Sequence, residues 1–163
     1  LKVEKKENGK VELEDVFSIK FPNKPKHSSQ TVPTEIGSVE MQMFMLQPPQ
    51  GTNDNLVYNL AMTEYPVEHI HSDSTARLDE FFSNSTKGAV GNVGGELISS
   101  ERFEFEEYPG NHIKIAYLDG AATIDIKSIL VDSRVYMLQV IYMADNADNK
   151  SAEKFFNSFK LTE

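Results

Sequence analysis

The densest apolar run in the chain is VYMLQVIYM at residues 135–143. On an extended backbone Tyr136, Leu138, Val140 and Tyr142 share one side. Val135, Met137, Ile141 and Met143 share the other, with Gln139 the one polar interruption. A strand that is apolar on both sides must be covered on both sides, so this segment predicts a strand near the middle of a sheet. The period then changes. Ala152, Phe155, Phe156 and Phe159 recur at helical spacing, which predicts a terminal helix from about residue 149 that folds back over that sheet.

Earlier segments alternate more cleanly. Phe17, Ile19 and Phe21 mark a half-buried strand at 16–21, which Pro22 and Pro25 end. His27 to Val32 reads as its hairpin partner. Strands follow at 38–46, with Val39, Met41, Met43 and Met45 on one face, and at 56–64. Ser72, Asp73 and Ser74 are competent helix N-caps, and Leu78, Phe81 and Phe82 supply the apolar stripe of a middle helix. Gly88 is a candidate for its end, so GAVGNVGG at 88–95 reads as a flexible connector. It lacks the Gly-Lys-Ser/Thr ending of a phosphate cradle. The remainder is a meander. Its turns are expected at Tyr108–Asn111, Asp119–Gly120 and Asp132–Ser133. Tight turns between consecutive strands mean antiparallel pairing. The pattern predicts an α+β fold, an antiparallel sheet sandwiched between helices. Residues 1–12 are a flexible tail or frayed strand, and 13–163 form a single domain.

Composition narrows the partners. A net charge of −9 repels phosphate backbones and anionic membranes. The absence of cysteine removes disulfides, thiolate chemistry and Cys-based metal sites. The apolar runs are strand-length, too short for a membrane-spanning helix. The chain begins LKVEKKENGK, charged and turn-like. That start fits an exported, periplasmic or envelope-anchored protein whose leader has been removed, although an arbitrary boundary would read the same.

Chemistry-bearing residues are few. The strongest metal candidate is EHIHSD at 68–73. On an extended segment His69 and His71 share a face, and Asp73 continues it. Two imidazoles and a carboxylate suit zinc or another divalent ion. A polar loop with Ser72 or Asp73 capping the helix explains the same residues without a metal. The alternating methionines 41, 43 and 45 carry thioethers, which are soft ligands for Cu(I), but with Val39 continuing their face they read as a core stripe. His27 and His112 are isolated. Glu104 and Glu106 belong to an exposed strand face, and Asp125 and Lys127 to a solvent-leaning one. No nucleophile elbow or His-Glu-x-x-His is present.

Several segments taken together resemble a known group. FSIKFPNKP at 17–25, RVYMLQV at 134–140 and FFNSFKL at 155–161 stand in the order seen in small bacterial lipoproteins and periplasmic proteins of the PsbP-like fold, which includes a Mog-type Ran-binding protein. The resemblance spans about residues 14–162 and rests on packing positions. It implies a sheet between helices and a non-catalytic accessory or binding role with an unknown protein or small-molecule partner. It implies no catalytic residues and no cofactor. The alternative is a metal-handling protein using His69, His71 and Asp73.

Overall fold

The computed structural model describes residues 4–5, 9–34 and 37–162. Seven antiparallel strands form the main sheet: β4 (Lys26–Thr34), β5 (Gly37–Leu46), β6 (Val57–Glu64), β7 (Glu96–Phe105), β8 (Tyr108–Tyr117), β9 (Ala122–Val131) and β10 (Arg134–Met143). Their spatial order is β4-β5-β6-β10-β9-β8-β7. The two-sided apolar strand β10 is therefore central, as its pattern requires. A second, short sheet holds β1 (Glu4–Lys5), β2 (Lys10–Leu13), β3 (Phe17–Lys20) and β11 (Lys160–Leu161) in the order β1-β2-β3-β11. The helices are α1 (Thr75–Val93) and α2 (Lys150–Asn157), and a 3₁₀ turn lies at Ala144–Asn146.

The two faces of the main sheet are covered differently. On one face Tyr136, Leu138, Val140, Tyr58 and Phe44 meet Val11, Phe17 and Ile19 of the small sheet and Phe21 just after it, together with Phe155 and Phe159. On the other, Leu78 and Phe82 of α1 lie over Leu130 and Val135, and Ala89 and Val90 over four isoleucines of β8 and β9. The fold is an antiparallel α+β arrangement in which one face carries a helix and the opposite face carries a small sheet together with a helix.

That second sheet changes several expectations. Strand β3 does not form a hairpin with the strand after it; it pairs with β2 and with β11, while β4 pairs with β5. Residues 10–12, assigned to the tail, lie in β2, and Val11 is fully buried. The terminal helix stops at Asn157, because Lys160 and Leu161 leave it to pair with β3. The glycine-rich segment is largely helical. Helix α1 runs through Gly88 and Gly91 to Val93, since Ala89 and Val90 have isoleucines to cover. Its end is Gly94, in the left-handed conformation that glycine adopts without strain. The Tyr108–Asn111 turn is also displaced. The chain reverses at Glu106 and Glu107, both at positive φ, and 108–111 already belong to β8.

Candidate functional site

The segment between β6 and α1 is pinned at both ends. Tyr65 N–H donates to the Ser133 carbonyl at 2.8 Å, and Ser72 N–H to the Asp132 carbonyl at 2.8 Å. Ser133 Oγ donates to the Ile70 carbonyl at 2.8 Å, and Ile70 itself is buried. On the helix side, Arg77 Nη1 donates to the carbonyls of Glu68 and His69, each at 3.0 Å. Between this segment and the flank of α1 lies an open cleft of about 590 Å³. Tyr65, His69, Ile70, Arg77, Glu80, Phe81, Asn84 and Ser85 line it.

The cleft is aromatic at its base. The Tyr65 ring lies 5.5 Å from His69 and 5.9 Å from Phe81, the latter edge-on. Burial pushes the Tyr65 phenol above its ordinary value, so it remains a neutral donor through the physiological range. Ring faces, a phenol, an imidazole, a guanidinium and the Glu80 carboxylate around a concavity form a surface suited to an apolar or aromatic group bearing polar substituents.

The three residues read as a metal site are distributed around this segment. His69 turns into the cleft beside Tyr65. His71 faces elsewhere: its Nδ1 accepts the Asp73 backbone N–H at 3.1 Å, and its Nε2 stands 3.7 Å from Asp132 Oδ1. The Asp73 carboxylate lies 3.6 Å from His71 Nδ1 and is otherwise exposed. Among the described residues no group of three or more His, Cys, Asp or Glu side chains converges so as to hold a metal ion. The segment is a set of turns and not an extended strand, so i, i+2 spacing does not align the imidazoles.

A second polar cluster lies on the other face. Asp125 is buried, although strand alternation reads it as solvent-leaning. Its Oδ1 accepts from His112 Nε2 at 2.5 Å and its Oδ2 from the Tyr142 hydroxyl at 2.8 Å. Burial, with the Asp125 carboxylate beside it, pushes the Tyr142 phenol far above its ordinary value. The cluster borders a smaller cleft of about 180 Å³ that also touches Lys127, Glu153 and Phe156. His112 is thus a fixed partner of Asp125. Pattern reasoning misses this pair because α2 covers a face that looks exposed from β9 alone. Arg77 is missed for a related reason, since its partners are backbone carbonyls, which no sequence motif records.

Among the described residues no helix is long and apolar enough to cross a membrane. No family model matches the chain, and neither does any curated protein. Among solved structures it is similar to the solution structure of cyanobacterial PsbP (CyanoP) from Synechocystis sp. PCC 6803, with a TM-score of 0.45 and 11% identity, over 82% of this chain and 92% of that one.

Proposed function

We propose that this protein is a non-catalytic accessory module, exported and envelope-associated, of the PsbP-like kind that its sequence resembles. In this reading its ligand contact is the cleft beside α1. One observation carries the proposal: the cleft is built by a braced segment. Arg77 ties Glu68 and His69 to the first turns of α1, so the concavity exists before any ligand arrives, and preorganisation favours binding. The aromatic pair Tyr65 and Phe81 then supplies apolar contact, and His69 and Arg77 supply polarity.

The test is titration with 8-anilinonaphthalene-1-sulfonate, an aromatic anion, followed by ¹⁵N chemical-shift mapping. Saturable binding with shifts confined to residues 65–70 and 77–85 is the expected result. Phe81→Ala should abolish it while the circular dichroism stays unchanged. Shifts scattered over the surface, or binding indifferent to Phe81→Ala, would remove the cleft from the proposal. Envelope association is tested separately by fractionating cells that express the full-length gene product. Its recovery in the cytosol would remove that part.

A further inference from the structure

The sheet face covered by α2 is packed with rings over β10, and that packing stops short on the β7 side. There a cavity of about 230 Å³ remains, walled by Phe103, Phe105, Ile129, Leu138, Phe156 and Phe159. The strands shape it through one glycine. Gly110 of β8 stands in register between Phe103 and Ile129, and a Cβ there would meet Phe103 Cζ at 2.5 Å. The Phe103 ring thus lies on the glycine, in space that any other residue's Cβ would take.

One charged group joins these apolar walls. Lys127 of β9 stands directly opposite Leu138 on β10 and His112 on β8. It lines both this cavity and the cleft of about 180 Å³ beside the His112–Asp125 pair. Its Nζ lies 5.0 Å from the Phe156 ring centroid. The neighbouring charges are matched: His112 Nε2 bonds to Asp125, and Lys114 Nζ to Asp148 at 2.7 Å. Lys127 is not matched. Among the described residues no carboxylate comes within ion-pair distance of its Nζ. In a chain of net charge −9, a half-buried ammonium is thus left with a ring face as its counterpart. A ring face compensates a cation only in part, so the wall of the cavity keeps an unmet preference for an anion.

We propose that this cavity binds a small aromatic carboxylate, with its ring among the phenylalanines and its carboxylate on Lys127. Size sets the apolar part. A cavity of about 150 Å³ admits benzene, so about 230 Å³ takes one ring with a short acid side chain. Charge sets the rest, because the ammonium gives a carboxylate charge-assisted hydrogen bonds and repels an amine. The Asp125 carboxylate does not cancel this preference, since His112 and the Tyr142 hydroxyl already hold it. Glu153 is solvent-exposed and borders only the smaller cleft. The site lies across the sheet from the α1 cleft and does not depend on it. Anilinonaphthalenesulfonate, with three rings, exceeds it.

The experiment titrates the full chain with phenylacetate, and with phenethyl alcohol and phenethylamine as neutral and cationic counterparts, followed in ¹H–¹³C spectra of the methyl and aromatic groups. Phenylacetate should give saturable shifts at the Ile129 and Leu138 methyls and the Phe103 and Phe159 rings, with Tyr65 and Phe81 unmoved. It should bind about tenfold more tightly than the alcohol, and the amine should not saturate. Lys127→Met, which keeps the length of the stem, should bring the acid down to the affinity of the alcohol and leave the alcohol unchanged. If that variant misfolds, Lys127→Gln serves the same comparison. Phe81→Ala should bind phenylacetate as the parent does. Absence of saturation, an acid no tighter than the alcohol, an acid preference that survives loss of Lys127, or shifts centred on Tyr65 and Phe81 would each overturn the proposal.

Discussion

The two faces of the main sheet solve the same problem to different degrees. The face under α2 and the small sheet is closed by rings. Phe17, Phe21, Tyr58, Tyr136, Phe155 and Phe159 meet edge-on or tilted at centroid separations of 5.0–6.2 Å. The face under α1 is covered by that helix over β8, β9 and β10. Towards β6, β5 and β4 it opens into the Tyr65–Phe81 cleft and the methionine stripe. Edge-to-face ring packing fixes geometry, and half-covered methionines do not. The difference gives one face the tighter packing and leaves the other partly open.

That division can be broken most sharply at Phe155, which is 2% exposed and touches Phe21, Tyr58 and Phe156. Phe155→Ala should lower unfolding free energy by about 3–5 kcal/mol, read from the urea midpoint. A loss near zero would mean that the ring cluster is not the stabilising side. Next in size is the polar cluster beneath α2. Asp125→Ala removes the acceptor shared by His112 and Tyr142, and should cost about 1–3 kcal/mol in the same measurement. Asp79→Ala removes a surface ion pair with Arg102 and should leave the midpoint where it was.

A further prediction concerns alkaline pH. Burial is the main cause that raises Tyr58, Tyr65 and Tyr142 above their ordinary 10.0. The folded chain keeps phenolic protons that the unfolded chain gives up. Stability is therefore intact below about pH 10 and falls as pH climbs beyond it. Two of the three phenols belong to the closed face, so Tyr142→Phe should flatten that decline in denaturation measured from pH 9 to 11. An unchanged slope would mean that Tyr142 titrates normally. A small effect is also expected on the open face, where Met45→Leu should change stability by less than about 0.5 kcal/mol by thermal melting. A large loss there would show that the methionine stripe is packed after all and would erase the contrast.

The sequence by itself determined which positions share a face. Two-sided apolarity at 135–143 required a central strand, and the Phe155–Phe159 stripe required a helix with one buried side; both follow from side-chain period alone. Spacing also identified the α1 stripe and its position opposite α2. What spacing cannot contain is whatever lies over a face. Asp125 alternates as a solvent position and is buried, because α2 returns across that end of β9. Met43 and Met45 alternate as core positions, yet Met43 is only half-buried and Met45 is exposed. The Gly88–Gly95 run composes as a connector and folds as helix, because isoleucines from strands distant in sequence wait beneath it. His69 and His71 match a ligand pattern on an extended chain, and the turns pinned by Arg77 and Ser133 direct them apart. Each of these outcomes rests on contacts between segments far apart in the chain, which tertiary structure alone sets.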